Sequence, residues 1–322
     1  MDSAPLICAE CRTEIAPGLR ACPVCNRLVH AETLKQLASR GDSAEKSGDV
    51  HGALTAWRDA LSLLPSDSKQ HAAVLQKVQA LSARVEDQPH PKSREWKKGT
   101  AGIGALLVFV LTKGKFLLLG LTKLPTLLSM FVSLSIFMQI WGWTFALGFF
   151  LCVYIHEMGH VWMLHRYGIR ATVPMFVPGL GAFVRLKQSP VTAIEDARVG
   201  LAGPMWGLAA SGVCYAIYVA TGMQYWGGLA MAGGMINLFN LIPVWQLDGA
   251  RGFHALTRLD RWVVVSAIGV MAFITGLGIL WIVGAVALWR TLASDPGPGH
   301  GTTLMTYVGL VIVLSFLARH VQ

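Results

Sequence analysis

Acidic side chains are nearly missing from the second two-thirds of this 322-residue chain: residues 99–322 hold six, against 13 Lys or Arg. So little charge excludes an ordinary soluble domain there and matches a membrane-embedded one. Residues 1–98 hold 14 basic and 12 acidic residues and read as a soluble region. Most of the net charge of +9 therefore sits in the apolar part, where it fits basic loops gathered on one membrane face better than nucleic-acid binding. The opening MDSAPLICAECRTEIAPG lacks the basic start and continuous apolar core of a secretory signal, so the N-terminus is expected to stay in the cytosol. Cysteine is also scarce. Of six, four are Cys8, Cys11, Cys22 and Cys25, while Cys152 and Cys214 lie in apolar segments. In a reducing compartment that pairing points to metal and away from disulfides.

The turns CAEC and CPVC each supply two thiolates, and together they make a closed tetrahedral zinc ribbon over residues 1–30. A closed site serves folding or docking, not catalysis. Residues 31–86 are polar and helix-prone, and GDVHGALTAWRDALSLLP places Ala53, Trp57 and Ala60 on one helix face, with Pro65 as its stop. This resembles the second helix of a tetratricopeptide repeat, so a helical hairpin with a third helix near 68–85 is predicted; a plain amphipathic three-helix unit fits the pattern equally. Residues 87–99 are basic and form a linker.

Beyond it, AGIGALLVFVL is too short for the ~20 residues of a crossing and is expected to be re-entrant or interfacial. Crossings are predicted near 121–140, 143–164, 197–222, 225–245 and 302–318, with 262–289 either one tilted helix or a broken one. The fold class is thus mainly α: a polytopic membrane protein of about six spans with a small cytosolic N-terminal domain. With the N-terminus inside, crossings two and four both end on the cytosolic face, at His165, Arg166 and Arg170 and at Arg251, Arg258 and Arg261.

The chemistry lies in VYIHEMGHVWM, residues 153–163. His156 and His160, four apart, share a helix face and can bind one zinc ion, and Glu157 flanks that face as a general base. Ionisable groups inside a membrane helix are costly and tend to be functional. A catalytic zinc wants a third ligand. Among the other acidic residues, Glu195 and Asp196 lie in a connection, Asp260 in a basic loop and Asp295 near the far end, leaving Asp248 in NLFNLIPVWQLDGARG. The alternative for Asp248 is the N-cap of a helix starting near Gly249. His165 and His254 fit no ligand spacing.

IHEMGH, NLIPVWQLDG and the helix start LAGPMWG together resemble the site-2 protease family of intramembrane zinc metalloproteases over about residues 100–290, leaving 291–322 as a C-terminal loop and last helix. The resemblance implies His156, His160 and Asp248 as ligands of a catalytic zinc beside the structural one, Glu157 as the residue that activates water, and Asn240 as a group that positions substrate or stabilises the oxyanion. Asn237 reads as an interhelical hydrogen-bonding residue. VPMFVPGLGAFVRLK, residues 173–187, resembles the family's membrane-associated β element, which would pair with unwound substrate; a simple surface hairpin reads equally. No PDZ-like insertion is visible.

The implied activity is hydrolysis of peptide bonds in or near transmembrane segments of membrane proteins, close to the cytosolic face, by a multi-pass protein whose N-terminal domain meets a cytosolic peptide or regulator. A catalytically silent scaffold that binds helices is the alternative, and retention of Glu157 opposes it. A zinc transporter would need more polar residues along the crossings than are present.

Overall fold

The computed structural model describes residues 6–87, 132, 134–136, 138–170, 175–177, 181–183 and 188–319. The chain divides into two compact units, 1–92 with 165–170, and 93–164 with 171–322. The predicted linker, the segment after it and most of the crossing near 121–140 fall outside the described residues.

The first unit opens with two matching turns. Strands β1 (Leu6–Ile7) and β2 (Glu14–Ile15) pair antiparallel. Cys8 N–H donates to Thr13 O at 2.9 Å, and Cys22 N–H to Arg27 O at 2.9 Å. Each turn closes through a residue four past its first cysteine, Arg12 or Asn26, held at φ 57°. Left-handed backbone lets the chain double back so that both sulfurs of a pair face one point.

Helices α1 (Ala31–Lys46), α2 (Val50–Leu63) and α3 (Lys69–Asp87) follow. Asp49 caps α2 by accepting from Gly52 N–H at 2.9 Å. Ala53, Trp57 and Ala60 are buried on one face. A Cβ at Gly41 would stand 2.6 Å from the Trp57 ring, so the α1–α2 crossing is set by a large residue over a missing one. Trp57 Nε1–H also donates to Glu45 at 2.7 Å. Arg58 is buried in the same unit, and its Nε–H donates to Tyr167 O at 2.9 Å.

The second unit is a helix bundle: α4 (Trp143–Arg166), α5 (Ala193–Thr221), α6 (Gln224–Asn240), α7 (Asp248–His254), α8 (Arg258–Thr275), α9 (Gly278–Ala293) and α10 (Gly301–Arg319). By length and composition α4, α5 and α10 can each cross a membrane. The 262–289 stretch is two helices, because Gly276 adopts φ 69° and caps α8 before α9 starts. Strands β3 (Met175–Val177) and β4 (Gly181–Phe183) form an antiparallel hairpin with Phe176 opposite Ala182.

Gly222 at φ 67° turns the chain from α5 into α6, making them antiparallel neighbours. Small residues let them approach: a Cβ at Gly207 would lie 2.2 Å from Asn237 Oδ1, and one at Gly233 would lie 2.2 Å from Ser211 Oγ. Packing of Phe145 on Tyr225 and pairing of His156 with Asn237 show α4 parallel to α6. Helix α4 and α5 meet where a Cβ at Gly159 would lie 2.4 Å from Ala202 O. Large apolar side chains also point outward, Phe273 and Met305 among them, as suits a lipid-facing surface.

The segment between α6 and α7 is tightly held. The Tyr307 hydroxyl of α10 donates to Leu241 O, and a Cβ at Gly249 would lie 2.1 Å from that same oxygen. Both Tyr307 and Leu241 are fully buried. Tyr307→Phe should therefore leave a buried carbonyl unsatisfied and cost about 1–3 kcal/mol, measured as a lower thermal midpoint in detergent with metal content unchanged.

Candidate metal centres

Helix α4 brings His156 and His160 to one face, and the bend after α6 delivers Asp248 to meet them. His156 Nε2 lies 3.0 Å and His160 Nε2 3.2 Å from the Asp248 carboxylate oxygens, and the two Nε2 atoms are 3.2 Å apart. For ligand bonds near 2.0–2.1 Å, the edge of a tetrahedron is about 3.3–3.4 Å, so the three donors already stand close to the spacing of a zinc site. All three are buried, at 3%, 7% and 8% exposure. Three mutually buried donors without an ion between them would be a poor arrangement in an apolar bundle. The donor set, two imidazoles and one carboxylate, fits zinc with a fourth position left open.

The backbone around the donors is shaped for them. A Cβ at Gly203 would lie 2.2 Å from His160 Nε2 and 2.7 Å from His156 Nε2, so only glycine admits the two nitrogens there. Pro204 follows inside α5, and proline in a helix interior removes one rung of its ladder. One turn earlier, Val199 O accepts from His160 Nδ1–H at 2.8 Å. That carbonyl keeps the Nδ1 proton in place and turns the Nε2 lone pair toward Asp248.

Asp248 does not act as a helix N-cap. Leu247 occupies the cap of α7 with no side-chain bond, and Asp248 is the first helical residue. The Arg251 guanidinium, one turn along α7, pairs with Asp196 of α5 at 2.6 Å and holds that helix end. Glu157 is buried at 5% exposure and stands outside the set of three donors. Asn240 Nδ2 lies 3.5 Å from His156 Nε2, and Asn237 Oδ1 is 2.8 Å from His156 Nδ1. His165 and His254 join no cluster of donors among the described residues.

The four N-terminal cysteines form the other cluster. Cys8 and Cys25 Sγ are 3.6 Å apart and Cys11 and Cys22 Sγ 3.5 Å, all four being free thiols. A tetrahedron with bonds of about 2.3 Å has edges near 3.8 Å, so the spacing is that of a metal site and far longer than a disulfide. Thr13, whose Oγ1 lies 3.2 Å from Cys11 Sγ, brings that thiol down to about 6 and favours its thiolate form.

Residues 144–224 match peptidase family M50. The match is confined to that stretch, which is similar to M50 peptidases. It includes His156, Glu157, His160 and Gly203, whereas Asn237, Asn240 and Asp248 lie beyond it and are joined to it by the geometry above. The chain is also similar to a protein of Arabidopsis thaliana named "Probable zinc metalloprotease EGY2, chloroplastic", with 24% identity over 217 residues that cover 51% of this chain. It spans 38% of that relative's length. No solved structure matches the chain. The expected resemblance to the site-2 protease family is met by the M50 match; the role of Gly203 and the place of Asn237 behind His156, which had read only as an interhelical residue, come from the geometry.

Proposed function

We propose that the chain is an intramembrane zinc endopeptidase that hydrolyses peptide bonds in or near transmembrane segments of membrane proteins, close to the cytosolic face. The observation that carries this reading is the buried His156, His160 and Asp248 set, with Glu157 beside it, inside a bundle whose outer surface is apolar. Zinc held there would polarise the scissile carbonyl and bring the pKa of a bound water toward ~7. Glu157, left free of the donor set, takes the proton of the attacking water and passes it to the leaving amine. Asn240, on the Nε2 side of His156, is placed to donate to the oxyanion that develops on the carbonyl oxygen. The β3–β4 hairpin offers a strand edge to a substrate whose helix has locally unwound.

The basic ends of α4 and α7 support a cytosolic location for this face and for the N-terminus. The four cysteines hold a second, structural zinc, and the helical unit that follows receives the cytosolic part of a substrate or a regulator. Metal analysis of detergent-purified protein tests the centre: two zinc ions per chain are expected, falling to one in His156→Ala, His160→Ala or Asp248→Ala together with loss of cleavage. An unchanged count in these variants would contradict the assignment.

A further inference from the structure

Two asparagines one turn apart on α6 bracket His156, and only one of them faces the open side of the centre. Asn240 lies toward Nε2, and Asn237 lies behind the ring at Nδ1. We infer that Asn237 is a positioning residue that fixes the tautomer and rotation of His156, so that its Nε2 lone pair is always presented to the metal.

The assignment follows from which groups can only accept. Gly233 O is a carbonyl, so the Asn237 atom 2.7 Å from it must be the NH2 group. The other amide atom is then the oxygen, and it faces His156 Nδ1 at 2.8 Å. Two acceptors cannot share that distance favourably, so Nδ1 carries the proton and Nε2 carries the lone pair. Nε2 is the atom that approaches Asp248 at 3.0 Å.

The surroundings fix this direction. Asn237 is 2% exposed, so water cannot substitute for its amide. A Cβ at Gly207 would stand 2.2 Å from Asn237 Oδ1 and 2.5 Å from Nδ2; α5 thus leaves room for the amide alone. Gly233 O is the i−4 carbonyl of the same helix, and bonding back to it holds the asparagine in one rotamer. A residue serving only to join α4 and α6 would need no such one-way arrangement. His160 receives the equivalent service from Val199 O, a backbone atom. Among the described residues, Asn237 is thus the side chain hydrogen-bonded to the Nδ1 of a ligand histidine, where substitution can disturb its tautomer.

The inference rests on the metal centre proposed above, and its test reads metal binding, not cleavage. A chain that binds metal but cuts nothing would defeat the proposed function and leave this test intact. The full chain is purified in detergent, and the affinity of the His/Asp centre for zinc is measured by chelator competition, with the visible absorption of Co2+ at that centre as a spectroscopic check. Asn237→Leu keeps the branched outline and removes the acceptor; it is expected to weaken affinity about 10–100-fold and to alter the Co2+ bands, while the cysteine site is unaffected. Asn237→Asp, protonated on the oxygen that faces Gly233 O, keeps both the acceptor at Nδ1 and a donor to that carbonyl, and should restore affinity to near that of the unmodified chain. Asn237→Ala removes the amide without placing a new side chain against Gly207 and serves where Asn237→Leu does not fold. Wild-type affinity in the folded Leu or Ala variant, or equal weakening by Asp, would overturn the inference.

Discussion

Gly203→Ala is expected to empty the His/Asp centre and reduce cleavage to background. The added methyl would sit 2.2 Å from His160 Nε2, 2.4 Å from its Cε1 and 2.7 Å from His156 Nε2. Neither ring can simply retreat, since Val199 O holds one from behind and Asn237 holds the other. Displacing a ligand nitrogen by even half an ångström removes the overlap of three donors at one point, and zinc tolerates little departure from its bond lengths. The helix itself has no reason to weaken, because alanine is the better helix former by about 1 kcal/mol. The measurement is metal content beside thermal stability. One zinc per chain, retained by the cysteines, is expected with a fold that still melts cooperatively. Two zinc ions in this variant would show that the glycine is not what admits the ligands.

Glu157→Gln should produce the opposite dissociation, full metal content with almost no turnover. Glutamine has the shape of glutamate but cannot take a proton from water at neutral pH, and a general base contributes about 10²–10⁴-fold to rate. Glu157 is not among the three donors, so both zinc ions should remain and substrate should still bind. A loss of the His/Asp metal in this variant would assign Glu157 a ligand role instead. Cleavage at more than about a tenth of the wild-type rate would remove it from the proton path.

The difference between what the sequence revealed and what needed coordinates follows the range of the interactions involved. His156 and His160 were legible because four residues along a helix is a local relation. Asp248 could be reached because the apolar part has so few carboxylates that elimination was short. Its competing identity as an N-cap was resolved only by the start of α7 at Asp248 itself. The resemblance separated Asn240, as a site residue, from Asn237, as an interhelical one, but the place of Asn237 behind the His156 ring was not legible. Which of two residues three apart faces the back of an imidazole depends on the rotation of α6 against α4, and that is fixed by contacts such as Gly207 with Asn237. Gly203 was hidden for the same reason among Gly200 and Gly207 in a small-residue stripe where each of the three suits helix packing.

The interruption at Gly276 shows a similar ambiguity. Glycine is common inside membrane helices, and only its φ of 69° separates a turn from a tolerated residue. In the first unit, the burial of Ala53, Trp57 and Ala60 on α2 follows the period of the sequence directly. The pocket for Trp57 at Gly41 does not, since it joins two helices.

The most direct measurement is mass spectrometry of products formed when purified wild-type and Glu157→Gln protein are each mixed in detergent with synthetic apolar helices of about 20 residues carrying short polar flanks. The account predicts, for the wild type alone, paired fragments whose new termini lie within the apolar stretch or at its cytosolic-side boundary, and whose masses sum to the peptide plus one water. Fragments produced equally by Glu157→Gln, or produced by the wild type after the His/Asp zinc has been removed, would contradict it.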